Sequence, residues 1–422
     1  MRKRYTNLEN KKVSRFLFIL CWAVYFGLYF SREGYAAALA GIIESDVLAK
    51  DQASIIGTVY FFSYGIGQLC SGFLADRVSP FKMIGAGVLF SSVANFIMSS
   101  AGGNLTVLTV TWALNGLSQS MLWTPILFLM SNLLATGQCE KACLNIASTV
   151  PLGTLGAYLV STVVLKFAKW DKVFLTSSIV LAVIFIGWLS MSLYIKKFIK
   201  YKEDTPAPAI EGQKKPENSG KLFPLLLASG VLVALVPITI NGMLREGVNT
   251  WVPTMIKEMF DVSASFSTML SIVLPIVNLS GAYAALFVYK RFFKNEVKSA
   301  IVFFVIAILP MFGLIFLNGS SIILGLVLLA VITSSMLAIN QLFITMMPVH
   351  FAKHGKVATI SGMMNFIAYM GCAIANYGIG TLAEKYSWNV TIAVWIGFGA
   401  LAMVLCFFIY KRWGNFTKGN HV

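Results

Sequence analysis

The sequence is short of charge. Asp, Glu, Lys and Arg together make up 12% of its 422 residues, while aliphatic, aromatic and sulfur-bearing residues make up 57%. Soluble domains carry about a quarter charged residues. This composition, with a mean hydropathy of +0.77, excludes a water-solvated enzyme and describes a polytopic membrane protein. Histidine is scarcer still, with three in all: His350, His354 and His421. The six cysteines are scattered, and only Cys139 and Cys143 stand one helical turn apart. Lacking neighbouring histidines, they make no zinc-type ligand set, so neither a metal nor another cofactor is expected. No Walker-type nucleotide loop is present, which leaves a solute or ion gradient as the driving force. The first apolar run, from Phe16, is too long for a signal core and has no small-residue cleavage site, so it reads as a membrane helix.

Acidic residues are few, 17 against 33 basic ones, and the net charge of +16 resembles that of a nucleic-acid binder until the charges are placed. Twelve apolar spans are predicted, at about 16–43, 52–75, 83–101, 105–134, 142–165, 173–195, 222–256, 263–288, 299–317, 321–348, 357–383 and 388–410. One set of alternating loops and termini then holds 25 Lys/Arg and the other set 6, with 2 inside the spans. That asymmetry puts both termini and the central loop in the cytoplasm of a cell (plasma or inner) membrane. The basic excess is an insertion signal with a weak pull on anionic lipid, and no nucleic-acid partner is expected. Residues 1–15 and 411–422 are tails. Residues 16–195 and 222–410 are two six-helix halves. Residues 196–221, rich in Lys, Glu, Pro and Gly, are a flexible linker.

Two buried charges organise the chain. Arg32 and Glu33 follow sixteen uncharged residues (Phe16 to Ser31) and precede ten more (Gly34 to Ile43). A charge at that depth costs from about 3 to more than 10 kcal/mol unless it faces a partner or a wet cavity. The same Arg-Glu-Gly recurs 213 positions on, at Arg245-Glu246-Gly247, again with ten uncharged residues from Gly247 to Ile256. Ser-Met-Leu at 120–122 recurs at 335–337, and Trp170-Asp171 is echoed by Trp388-Asn389. The chain therefore reads as a doubled six-helix unit, with the two charged pairs expected near a pseudo-two-fold axis at mid-membrane.

Span 2 ends in Gly72-Phe73-Leu74-Ala75-Asp76-Arg77-Val78-Ser79-Pro80-Phe81-Lys82. This resembles the loop-2/3 signature of the major facilitator superfamily, in which the glycine, aspartate and arginine latch the cytoplasmic gate. The resemblance implies an all-α membrane fold of twelve transmembrane helices in two six-helix halves, with Gly72, Asp76 and Arg77 in gating. A narrower resemblance rests on Arg32, on Gly116, Gln119, Trp123 and Pro125 in span 4, and on Arg245-Glu246-Gly247 with Trp251 and Pro253 in span 7. These are similar to the organophosphate:phosphate antiporters, among them the glycerol-3-phosphate and hexose-phosphate transporters. In that family, arginines in helices 1 and 7 together hold the phosphoryl group.

Two departures bear on the substrate. Glu33 stands where the family often has lysine, and span 5 has no histidine. Two arginines with two glutamates are formally neutral, whereas a dianion site is normally net positive. Either the glutamates turn off the cavity face, being ~100° round the helix from their arginines, or the ligand is not a simple phosphomonoester. The arginines can instead be structural, and Glu33 or Glu246 can carry a proton. Gln119 and Trp123 either pack helices or touch ligand. Tyr35, Tyr60, Asn340, Asn365 and Tyr369 either bond across helices or line the site.

The expectation is a monomeric secondary transporter, not an enzyme. It moves a small organic anion, phosphorylated or carboxylated, by alternating access between Arg32 and Arg245. The coupling species is a proton or inorganic phosphate. A non-transporting sugar-phosphate sensor and a proton-coupled drug or metabolite exporter are the alternatives.

Overall fold

A computed structural model of the protein describes residues 4–5, 8–74, 78–146, 148–199, 201–202, 222–317, 320–354 and 356–419. The described chain is helical apart from a two-residue antiparallel bridge, in which Arg4 and Tyr5 pair with Lys202 and Tyr201. The start of the expected linker is therefore paired with the N-terminal tail. Its residues 203–221 lie outside the described residues, as do Asp76 and Arg77.

Among the described residues, eleven helices are long and apolar enough to cross a membrane. The twelfth expected span, 105–134, is split into α4 (Leu105–Ser120) and α5 (Trp123–Leu133). Pro125 is the cause. It has no N–H to offer the carbonyl four residues back, on Met121, and its ring crowds that carbonyl. The chain turns there on tighter bonds, Met121 N to Ser118 O and Leu122 N to Gln119 O. Span 5 also departs from its expected bounds. Residues 136–146 form a separate short helix, α6 (Thr136–Ile146), and the span proper is α7 (Thr149–Phe167).

The helices group into two compact units, Met1–Pro206 with Ser263–Ile272, and Ala207–Val262 with Val273–Val422. In the first, α1 (Lys11–Glu44) lies against α7 and α8 (Asp171–Lys196), α2 (Lys50–Leu74) against α4, and α3 (Pro80–Ser100) against α4 and α8. Leu17, Cys21, Val24 and Leu28 fall on one stripe of α1 and enter the core with Ile84, Val88, Ile126 and Leu181. Ser92 and Ser178 tie α3 to α8 reciprocally, each hydroxyl donating to the other's carbonyl at 2.9 Å. The short α12 (Ala264–Ser271) belongs to this unit, and its first amide donates to the Glu44 carboxylate at 3.2 Å.

In the second unit, α9 (Leu222–Ser229) gives way to α10 (Val231–Gly242) at Gly230, whose φ of 79° suits glycine. A wide π turn, Met243–Gly247, then leads into α11 (Val248–Met259). The remaining helices are α13 (Val273–Val288), α14 (Glu296–Leu317), α15 (Ile322–Asn340), α16 (Val357–Lys385) and α17 (Trp388–Gly419). Glu296 anchors three elements. Its carboxylate meets His350 Nε2 at 2.6 Å and accepts from Trp413 Nε1 at 2.7 Å. Outer faces of both units are apolar, with Phe90, Leu114, Ile186, Phe316 and Phe408 exposed. Lipid, not water, is the solvent such faces suit.

Candidate functional site

In the first unit Tyr60 and Glu33, of the sequence-predicted residues, lie beside Arg32. Its side chain is 4% exposed, and its guanidinium carbon stands 4.9 Å from the Phe61 ring centre, 5.6 Å from Tyr64, 5.7 Å from Tyr29 and 5.8 Å from Tyr60. Tyr29 comes from the preceding turn of α1, and the other three rings line one side of α2. Four ring faces around one cation attract it by their quadrupoles. Glu33 is buried nearby, but Arg32 Nε lies 3.9 Å from Glu33 Oε1, beyond hydrogen-bond length.

A polar layer supports the cage. Tyr60 donates its hydroxyl proton to Gln119 Oε1 at 2.6 Å. The Gln119 amide donates to Ser91 Oγ at 3.1 Å, and Asn95 donates to Ser31 Oγ at 2.8 Å, next to Arg32. Ser91 in turn donates to Asn115 Oδ1 at 2.6 Å. Gly116 permits this layer to close, because a Cβ there would strike the Tyr60 carbonyl. Gln119 thus reaches the site through Tyr60. Two other predicted residues sit a step away. Tyr35 donates to the Ala53 carbonyl at 3.0 Å and stacks on Trp112, and Trp123 packs on Tyr25 at 4.7 Å.

In the second unit Arg245 and Glu246 occupy the π turn. Arg245 Nη2 lies 2.7 Å from Glu246 Oε1, a charge-assisted hydrogen bond, with side chains 17% and 6% exposed. π turns inside α-helices are frequent at functional sites. The turn lies tight against α16: a Cβ on Gly242 would strike the Ala368 carbonyl, and Cys372 Sγ donates to the Gly242 carbonyl at 3.2 Å. Of the predicted residues, Tyr369 is half-buried in α16 next to that contact. Asn365 donates to the Ser361 carbonyl of its own helix at 3.1 Å, and Asn340 closes α15 half-buried. Gly72 lies in α2, while Asp76 and Arg77, the residues expected to act in gating, are outside the described residues.

A profile of the Major Facilitator Superfamily matches residues 21–376. The chain belongs to that superfamily. It is a multi-pass membrane transporter of the twelve-helix fold, and not an enzyme. Over 416 residues this transporter is 21% identical to the "Probable hexose phosphate transport protein" of Chlamydia muridarum (strain MoPn / Nigg), covering 93% of this chain and 90% of that one. A glycerol-3-phosphate transporter of Haemophilus influenzae is 27% identical over 116 residues, 25% of this chain and 24% of that one. Among solved structures, the peptide transporter POT in complex with sulfate shares the fold with a TM-score of 0.71. Their identity is 16%, over 98% of this chain and 97% of that one.

Sequence reasoning missed the cage residues Tyr29, Phe61 and Tyr64 of this transporter. Their signal was present: Tyr29 is three residues before Arg32, and 60, 61 and 64 share one side of a helix. It also missed Asn241, one turn before Arg245, which is buried with neither carboxamide atom bonded among the described residues.

Proposed function

We propose that this transporter moves a phosphorylated or carboxylated organic solute by alternating access, with Arg32 and Arg245 as the anion contacts of the two halves. The observation that carries the reading is the setting of Arg32, a buried guanidinium held among four aromatic rings. Such a fork is pre-oriented for bidentate binding of phosphate or carboxylate. The names of the relatives, hexose phosphate and glycerol-3-phosphate transporters, favour a sugar phosphate or a similar ester.

Glu246 supplies the coupling device. An incoming anion competes for Arg245, and the carboxylate released from it is the proton acceptor. Arg245 is paired at 2.7 Å, so entry of a small dianion with no other groups to bind is disfavoured. The proposed transport is therefore proton-linked and exchanges poorly for inorganic phosphate. Both termini face the cytoplasm of the plasma membrane, following the basic-residue count, and the working unit is the monomer.

The test is counterflow in proteoliposomes loaded with phosphate or with a sugar phosphate, with and without an imposed proton gradient. Arg32→Lys and Arg245→Lys keep charge but lose the fork, and each should abolish most uptake while leaving insertion intact. Normal uptake by both variants would place the anion elsewhere. Rapid phosphate exchange independent of the gradient would replace proton coupling with plain antiport.

A further inference from the structure

We propose that the first unit carries a second anion site, several helical turns ahead of Arg32 on the same helix, where the start of α1 meets α6. It binds a phosphate-bearing group with a neighbouring hydroxyl or amine, borne either by a lipid headgroup or by a soluble phosphate ester.

Two helices each present one stripe to a common cavity of about 390 Å³. From α1 come Lys11, Ser14, Arg15 and Phe18, and from α6 come Gln138, Lys141, Ala142 and Asn145. Both sets run i, i+3, i+4, i+7, the spacing of one helix face. The volume falls in the range of small-molecule sites, about 300–1,000 Å³.

The lining names the ligand chemistry. Lys11, Arg15 and Lys141 bring three cations to the cavity, and among the described residues none of them is ion-paired with a carboxylate. Gln138 adds a different demand. Its Oε1 is buried and receives no hydrogen bond. A buried acceptor without a donor costs about 1–3 kcal/mol, and a bare anion cannot relieve it. A group bearing both negative charge and an O–H or N–H can, as in a phosphate ester of glycerol or ethanolamine. Asn145, exposed at the rim, offers a further polar contact, and the half-buried Phe18 gives an apolar side for a glycerol or acyl stem.

The walls are firm. The Leu8 amide donates to the Leu133 carbonyl at 2.8 Å, tying the chain just before α1 to the end of α5. Leu8, Val13, Leu17, Leu133, Leu134 and Ile146 are buried in one cluster, and Leu134 also lines the cavity. Asn10 caps α1 by accepting from Lys12 N at 2.9 Å, which fixes Lys11 at the helix start. An insertion signal requires only that cations lie near one membrane face. It requires neither a shared cavity nor a buried acceptor left without a donor.

The test uses full-length protein, delipidated in detergent, with bound ligand counted by native mass spectrometry. The probes are dioctanoyl phosphatidylglycerol and glycerol 3-phosphate. Substituting Lys11→Gln, Arg15→Gln and Lys141→Gln together should cut binding by roughly tenfold or more, as loss of three near-surface charges implies. Arg32→Lys should leave binding of the lipid probe unchanged, and Lys11→Arg with Lys141→Arg should retain binding of both probes. Retention of the lipid against excess glycerol 3-phosphate assigns the site to the bilayer. Displacement by glycerol 3-phosphate, itself lost in the triple variant, assigns it to a soluble ester. Equal binding of both probes by the wild type and the triple variant would overturn the site, as would loss of binding in the charge-preserving variant.

Discussion

Arg245 Nη2 lies 2.7 Å from Glu246 Oε1, whereas Arg32 Nε stands 3.9 Å from Glu33 Oε1. The two pairs have the same sequence but different backbones. Arg32 sits in the uninterrupted α1, where neighbours diverge around the axis, and Arg245 sits in the π turn after α10. Arg32 has four rings around it and a long ion pair to Glu33, whereas Arg245 has a short bond to its own carboxylate. The doubled sequence has produced an unequal pair.

Unequal pairing predicts unequal responses to the same substitution. Glu246→Gln removes a competitor for Arg245, so it should lower KM for an anionic substrate by roughly tenfold, the scale of one charge-assisted hydrogen bond. It should also abolish stimulation of uptake by a proton gradient. Glu33→Gln should change KM much less. Initial uptake rates in proteoliposomes, with and without the gradient, separate the two.

The cage around Arg32 should be felt in substrate affinity. Phe61→Leu and Tyr64→Leu remove ring faces and should each raise KM by about two- to thirtyfold, matching roughly 0.5–2 kcal/mol per cation–π contact. Tyr64→Phe keeps the face and should transport almost normally. A Leu variant with unchanged KM would show the rings to be packing alone.

Asn241 makes a sharper test of the second unit. Its buried carboxamide has no partner among the described residues, so Asn241→Leu should leave the melting temperature unchanged or raise it. If the amide meets substrate beside Arg245, the same variant raises KM several-fold. Thermal melting and uptake on one preparation give both readings.

Stability of the first unit should depend on the layer beneath Arg32. Gly116→Ala drives a methyl into the Tyr60 carbonyl and should cost about 1–3 kcal/mol. Gln119→Leu leaves the Tyr60 hydroxyl without its acceptor, at a similar cost of about 1–3 kcal/mol. Lowered melting temperatures in detergent, with the Arg32 cage loosened, are expected for both.

Asp76→Asn should act on turnover. If the loop after α2 latches a gate, the variant slows the conformational cycle and lowers maximal rate far more than it changes KM. Uptake measured across a substrate range distinguishes this from a loss of binding.

The sequence by itself determined the membrane class, the number of spans, the doubling and the two arginines. The reason is that charge inside twenty apolar residues has no cheap local solution, so Arg32 and Arg245 stand out without any knowledge of neighbours. The break in span 4 was not foreseen, because the span was read as continuous over 105–134, although Pro125 and its missing N–H account for it once seen. Tertiary structure decided what surrounds each arginine. Phe61 and Tyr64 meet Arg32 across two helices, and Gln119 arrives from a third; helical periodicity groups 60, 61 and 64 on one face but does not bring that face to Arg32. The π turn decided the Arg245–Glu246 bond as well. A regular helix separates adjacent side chains by ~100°, and only the altered winding, held against α16 at Gly242, brings those two together.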